Sequence, residues 1–173
     1  MKKIETNNLT IGVIGTSKKK DERRVPIHPE HLVRLPKPIR NQLIFEEGYG
    51  TPFGITDSEI AAQTGGIATR SELLAHSDVV IVAKPVLEDL QELHEGGTLW
   101  GYPHCAQQNA ITQTAIDRKQ TLIAFEDMFV WKPNGEAGRH TFYKNNEMAG
   151  YCAVLHALQL KGIDGHYGNQ RKV

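Results

Sequence analysis

Residues 78–85, DVVIVAKP, decide the fold. Five apolar residues run without alternation between Asp78 and Lys84, and four of them are β-branched. A strand with one wet face alternates polar and apolar residues; a strand buried on both faces does not. The run therefore predicts a central strand of a parallel sheet. Working outward, LTIGVIG (9–15), NQLIFEEG (41–48), GTLWGYPH (97–104) and QTLIAFEDM (120–128) read as further strands, and GGIAT (65–69) as a short one.

Helix signals fall between these runs. Pro29 can start a helix that Pro36 and Pro38 end. Thr56 and Glu59 make a capping-box pattern, and Gly65 and Gly66 can stop the helix that follows. Over 107–120, Ile111, Ala115 and Ile116 share a face. The longest predicted helix covers 146–162, with Met148, Cys152, Leu155 and Leu158 in one stripe and Gly162 as its stop. Strands alternating with helices of about ten residues imply an α/β, Rossmann-like (flavodoxin-like) parallel sheet with helices on both faces. WKPNGEAGRHTFY (131–143) breaks the rhythm and reads as a turn or small hairpin. The final RKV reads as the start of another strand, so the chain is expected to be the first part of a longer protein. The expected division is 1–145 as one domain and 146–173 as a connecting helix leading into a second.

The 173 residues suffice for one domain or a little more. Lys and Arg number 20, as do Asp and Glu, so there is no basic excess of the kind nucleic-acid partners require. No apolar run approaches a membrane span. The N-terminus lacks an apolar signal core, and a cytoplasmic protein is expected. Cys105 and Cys152 form no C-x-x-C, which suggests neither a disulfide framework nor a metal site.

In a parallel α/β sheet, ligands bind beyond the carboxyl ends of the strands. Those ends deliver Arg23 and Arg24, then Lys84, then His104, then Glu126 and Asp127. Two cations and a histidine suit a small carboxylate: arginine offers a planar fork, lysine a point charge, and histidine a proton near neutral pH. Each residue also has an ordinary reading. A loop arginine is most often solvated, a lone histidine after a strand is usually a loop residue, and the acidic pair can simply cap the next segment. GVIGTS (12–17) and GYGTPFG (48–54) are turns, and neither fits the G-x-G-x-x-G dinucleotide fingerprint.

Taken in order, the motifs resemble the N-terminal domain of the alanine dehydrogenase and nicotinamide nucleotide transhydrogenase superfamily. DERRVPIHPEHL resembles its Arg-Val-x-x-x-Pro opening, EEGYGTPFGITDSEIAAQTGG its acidic-Gly segment, SDVVIVAKP its strand ending in lysine, and GTLWGYPHCAQ its strand ending in histidine. LIAFEDM and NNEMAGYCAV match the following strand and the start of the helix that crosses to a nucleotide domain. Within the superfamily, ERRVP, EEGYG, GYPH and YKNNEMAGYCAVLHAL are most similar to carboxyethylornithine synthase.

The resemblance implies an NAD(P)-dependent oxidoreductase that reductively aminates a 2-keto acid such as pyruvate, with alanine dehydrogenase chemistry as the near alternative. It implies that Arg24 holds the substrate carboxylate, Lys84 contacts the keto acid, His104 is the acid/base and Arg23 is a solvated neighbour. Asn146 falls near the nucleotide. NAD or NADP would be bound mainly by a domain these residues do not contain. The partners would be a small keto acid and an amine or amino acid, with no nucleic acid or membrane, and the full-length protein would be a homo-oligomer. One departure stands out: Pro85 follows Lys84 directly, where the family usually has Lys-Glu-Pro. The competing reading from another class is a stand-alone α/β module that binds a small carboxylate or a protein partner.

Overall fold

Six parallel strands form the sheet, and the computed structural model describes residues 9–163. In chain order the elements are β1 (Ile11–Ile14), α1 (Lys37–Arg40), β2 (Leu43–Glu46), α2 (Asp57–Ala61), β3 (Gly66–Ala68) and α3 (Arg70–His76). Then come β4 (Val79–Val82), α4 (Leu87–Glu92), β5 (Thr98–Gly101), α5 (Asn109–Asp117) and β6 (Thr121–Ala124). Every strand expected from the sequence forms, each shorter than its apolar run. The spatial order is β3-β2-β1-β4-β5-β6. This is the six-strand order of the doubly wound Rossmann sheet. The chain runs outward from β1 through β3, then returns to the other side of β1 with β4.

Burial on two faces is visible within β1. Val13 packs with Leu32, Leu43, Phe45, Tyr49 and Ile60 on one side, while its neighbour Ile14 packs with Leu73, Val80, Val82, Leu99 and Ile111 on the other. Consecutive strand residues point to opposite faces, so these are two separate cores, one beneath each helical layer. In β4, Val80, Ile81 and Val82 are all buried. That is why the sequence there shows no alternation.

The helices are shorter than the ten residues expected: α2 has 5, α3 has 7, α4 has 6 and α5 has 9. The segment opened by Pro29 is a 3₁₀ helix ending at Arg34, with Leu35 extended ahead of Pro36. Six residues between prolines leave too little length to offset α-helix nucleation. The Thr56–Glu59 capping box forms, with the Glu59 N–H donating to Thr56 Oγ1 at 3.3 Å and the Thr56 N–H to Glu59 Oε2 at 2.8 Å. Thr69 and Glu72 repeat the arrangement at the start of α3. In α5, Ile111 and Ala115 are buried as expected, but Ile116 is 64% exposed. It lies one residue past the buried Ala115, which turns it about 100° off the core-facing stripe.

Close approach fixes one glycine. A Cβ on Gly101, the last residue of β5, would lie 2.2 Å from the Val82 carbonyl oxygen. Only glycine lets β5 leave the sheet this close to the end of β4.

Contacts divide the chain into two units, Met1–Glu126 and Asp127–Val173. This break precedes the one expected after residue 145. The second unit contains the antiparallel hairpin β7 (Phe129–Trp131) and β8 (Ala137–His140), then α6 (Tyr143–Leu160). The irregular segment was thus a hairpin, as its turn residues suggested. The stripe on α6 is largely exposed, with Met148 at 64% and Leu155 at 50%. The RKV segment lies outside the described residues. Among the described residues, no helix is long and apolar enough to cross a membrane.

Candidate functional site

Because β4 lies beside β1, the loops leaving both strands meet where the chain reverses direction across the sheet. Ligands gather at such a switch point in open α/β folds. The β1 loop carries Arg24, and β4 runs directly into Lys84. Ser17 Oγ donates to the Lys84 carbonyl at 3.3 Å, joining the two. The Tyr102 N–H, just past β5, donates to the Ala83 carbonyl at 3.1 Å. Tyr49 holds the segment after Arg24: its hydroxyl donates to the Ile27 carbonyl at 2.8 Å and accepts from the Ile27 N–H at 3.1 Å. Burial raises the Tyr49 pKa, so this clasp stays protonated across the physiological range.

Arg24 is already engaged. Its Nε donates to Glu22 Oε1 at 2.8 Å and its Nη2 to Glu22 Oε2 at 2.6 Å, while its own backbone N–H also donates to Oε1 at 2.9 Å. These bonds, with the nearby charge of Lys84, outweigh desolvation and hold the Glu22 carboxyl at about 2. The same pairing raises the Arg24 pKa. Its guanidinium also lies 5.7 Å from the centre of the Tyr102 ring. That ring in turn stacks on His104, with centroids 5.9 Å apart and planes 23° from parallel. Burial raises the Tyr102 pKa, against a smaller lowering by Arg24.

The backbone of His104 sits in the left-handed region, φ 50°. Such a backbone is uncommon away from glycine and persists only when its surroundings hold it. Here its N–H donates to Glu126 Oε1 at 2.8 Å, and its carbonyl accepts from Gln107 and Gln108 at 2.9 and 3.0 Å. Nδ1 of the ring lies 3.7 Å from the same Glu126 oxygen. Sequence reasoning placed cations around this histidine. The charge beside its ring is the Glu126 carboxylate. A carboxylate beside the ring can orient an imidazole.

Arg24, Lys84 and His104 therefore share one edge of one unit. Asn146 lies in the first turn of α6, in the other unit. Arg23 is exposed, as a solvated residue should be, yet it also lines a cavity of about 300 Å³ with Gly15, Val25, Tyr49 and Phe53. Tyr102 and Glu22 were missed. Both stand inside motifs quoted from the sequence, GYPH and ERRVP, where the histidine and the arginines are the more obvious chemical groups.

The turn after β1 is where a dinucleotide fold cradles pyrophosphate on backbone N–H groups. Here those donors are taken. Gly15 and Thr16 donate their N–H groups to Glu46 Oε2 at 2.9 and 2.8 Å, and Thr16 Oγ1 donates to Oε1 at 2.7 Å. Arg70 backs the carboxylate at 3.6 Å and bonds Asp89, which is fully buried, at 2.6 Å. A fixed carboxylate repels phosphate from this turn, so these residues do not fit a dinucleotide. The missing glycine fingerprint has this structural counterpart.

Similarity to known proteins agrees with this fold. The chain is 28% identical over 151 residues to N(5)-(carboxyethyl)ornithine synthase of Lactococcus lactis, a match covering 82% of this chain and 47% of that protein. Against alanine dehydrogenase of Lysinibacillus sphaericus it is 33% identical over 111 residues, covering 62% and 29%. The chain thus spans about half the length, or less, of these relatives. Among solved structures, an L-alanine dehydrogenase superposes with a TM-score of 0.59 at 21% identity, covering 74% of this chain and 35% of the other. A transhydrogenase from Sinorhizobium meliloti gives 0.57 at 16%, covering 69% and 35%. Residues 13–135 match the family described as alanine dehydrogenase/PNT, N-terminal domain, and the chain belongs to that family.

Proposed function

We propose that this chain is the substrate domain of an oxidoreductase that reductively aminates a 2-keto acid such as pyruvate, with an amino acid as the amine, as the name of the carboxyethylornithine synthase relatives suggests. The observation that carries the reading is the placement of a guanidinium fork, an ammonium and a histidine at the switch point of a sheet whose phosphate-binding turn is closed. Such a site favours a small carboxylate over a nucleotide. Alanine dehydrogenase chemistry, with ammonia as the amine, is the second reading, supported by the 33% identity to that enzyme.

Arg24 would take the keto-acid carboxylate in its fork, and Lys84 would polarise the adjacent carbonyl. Fixing both ends lowers the entropic cost of amine attack, and the positive charges favour developing negative charge on oxygen. His104, oriented by Glu126, would pass protons as the carbinolamine loses water to give the imine and as nitrogen is protonated. The reduced form of NAD or NADP, held chiefly outside this chain with Asn146 nearby, would supply the hydride. The connecting role of α6 and a homo-oligomeric full-length enzyme belong to the same proposal. A non-enzymatic carboxylate-binding module is the remaining outcome.

Purified full-length protein, given pyruvate, ornithine or ammonium, and reduced nicotinamide cofactor, provides the test. Cofactor oxidation that needs both keto acid and amine is expected, with the secondary amino acid identified by mass. Tight pyruvate binding without turnover on any amine would leave the module reading.

A further inference from the structure

Glu22 presents a carboxylate to Arg24 in the geometry a bound acid would use. Two parallel bonds, 2.8 and 2.6 Å, join both carboxylate oxygens to one edge of the guanidinium. This fork-to-fork arrangement is the strongest way for arginine to hold a carboxylate. The charge of Lys84 reaches the same group. The guanidinium assigned to the keto acid thus already faces an anion of the same chemical type.

The exposures show how the pair is arranged. The Glu22 side chain is 8% exposed and that of Arg24 46%. The carboxylate lies inward while much of the guanidinium remains open to solvent. Only Arg23 separates the two residues, and Glu22 lies in no helix or strand. Rotating the Glu22 side chain would release the fork without disturbing the sheet, and the Tyr49 clasp on Ile27 would keep the downstream backbone in place.

We propose that Glu22 is an internal stand-in for the substrate carboxylate, filling the Arg24 fork in the free protein and leaving it when the keto acid binds. The idea rests on the assignment of Arg24 as the clamp. It gives Glu22 two effects. The guanidinium is kept oriented between turnovers. An incoming ligand must also match a bidentate carboxylate to displace it, which discriminates against anions that present a single oxygen. The cost is affinity, since a ligand sees only the fraction of molecules whose clamp is free.

Oxamate, an unreactive planar isostere of pyruvate, is the probe, titrated calorimetrically into the full-length protein and its variants. Glu22→Gln and Glu22→Ala should bind oxamate roughly 3- to 10-fold more tightly, the gain expected when a competitor that fills most of the clamp is removed. The KM for pyruvate should fall in parallel, with a smaller change in kcat. Arg24→Ala should bind oxamate more weakly. Thermal melts check that each variant folds, and the alanine variant covers a failure of the glutamine one. If both Glu22 variants bind oxamate no better than the parent while Arg24→Ala still weakens it, Glu22 merely orients Arg24 and the stand-in is overturned. If Arg24→Ala leaves oxamate binding unchanged, the clamp assignment itself fails, and the stand-in falls with it.

Discussion

Two glutamates fill two anion-binding positions at the carboxyl edge of the sheet, and they do so in different ways. Glu46 and Glu22 are equally covered, each with a side chain 8% exposed. Their arginines differ: Arg70 is 17% exposed and Arg24 46%. Glu46 draws its hydrogen-bond donors from a loop 30 residues away and an ion-pair partner from α3, whereas Glu22 bonds a residue two positions on. The first arrangement is locked by tertiary structure. The second is local and open on one side, so another carboxylate can exchange into it. Burial of the partner, more than the identity of the charges, separates a structural ion pair from a site.

The open side should carry chemistry and the closed side stability. The largest effect is expected at His104, which joins the open cluster through Tyr102. His104→Asn preserves a polar side chain and suits the left-handed backbone, since asparagine tolerates it well. In the full-length enzyme, turnover should fall by about 10²- to 10⁴-fold, the usual loss for a positioned acid/base. The melting temperature should barely move. Normal turnover with an unchanged pH profile would return His104 to the loop residues.

Arg70 is the mirror case. Arg70→Met leaves Asp89, fully buried, and Glu46 without their shared cation. Removing one partner from a buried charged network costs about 3–5 kcal/mol. Urea unfolding should show that loss. A loss under 1 kcal/mol would mean that the closed side is no more structural than the open one, and the contrast between the two glutamates would fail.

The sequence disclosed one side better than the other. The strands were legible because two-sided burial leaves unbroken apolar runs, as in DVVIVAKP. That Arg24, Lys84 and His104 share an edge was legible because a parallel sheet puts every strand's carboxyl end on one side; the roles assigned to them came from the family resemblance. The network of Glu46, Arg70 and Asp89 was not, because its members come from β2, α3 and α4, and only the sheet order unites them. Helix α3 went unnamed although Thr69 and Glu72 repeat the capping pattern noticed at Thr56. Tyr102 carries no signal in the sequence beyond being one aromatic between a strand and a histidine. Its contacts with both Arg24 and His104 appear only in the folded chain.

A smaller effect is expected at the clamp. Arg24→Ala should raise the KM for the keto acid by an amount equivalent to about 1.5–3 kcal/mol, typical of a lost charge-assisted bond. The KM for the nucleotide should change little, and stability by no more than about 1 kcal/mol. Arg23→Ala serves as the control, with little change in keto-acid kinetics. A larger effect from Arg23 than from Arg24 would shift the clamp to the arginine that lines the neighbouring cavity.

The smallest effect concerns acid. Glu22 is held at about 2, against an ordinary value of 4.5. A carboxyl with a depressed folded-state pKa contributes stability that is fully present above the ordinary value. That contribution fades as pH falls from 4.5 towards 2, where the folded form also takes up the proton. Because Arg24 is nearly half exposed, solvent screening reduces the contribution to about 1 kcal/mol. Melts of the parent and Glu22→Gln should therefore differ by about 2–4 °C near pH 6, a shift typical for a chain of this size, and converge towards pH 2. Molar salt should shrink the difference as well, since an accessible pair is screened. A gap that persists at low pH would mean that Glu22 stabilises the loop by packing rather than by charge. It would then resemble Glu46, and the distinction between a locked and an exchangeable glutamate would be lost.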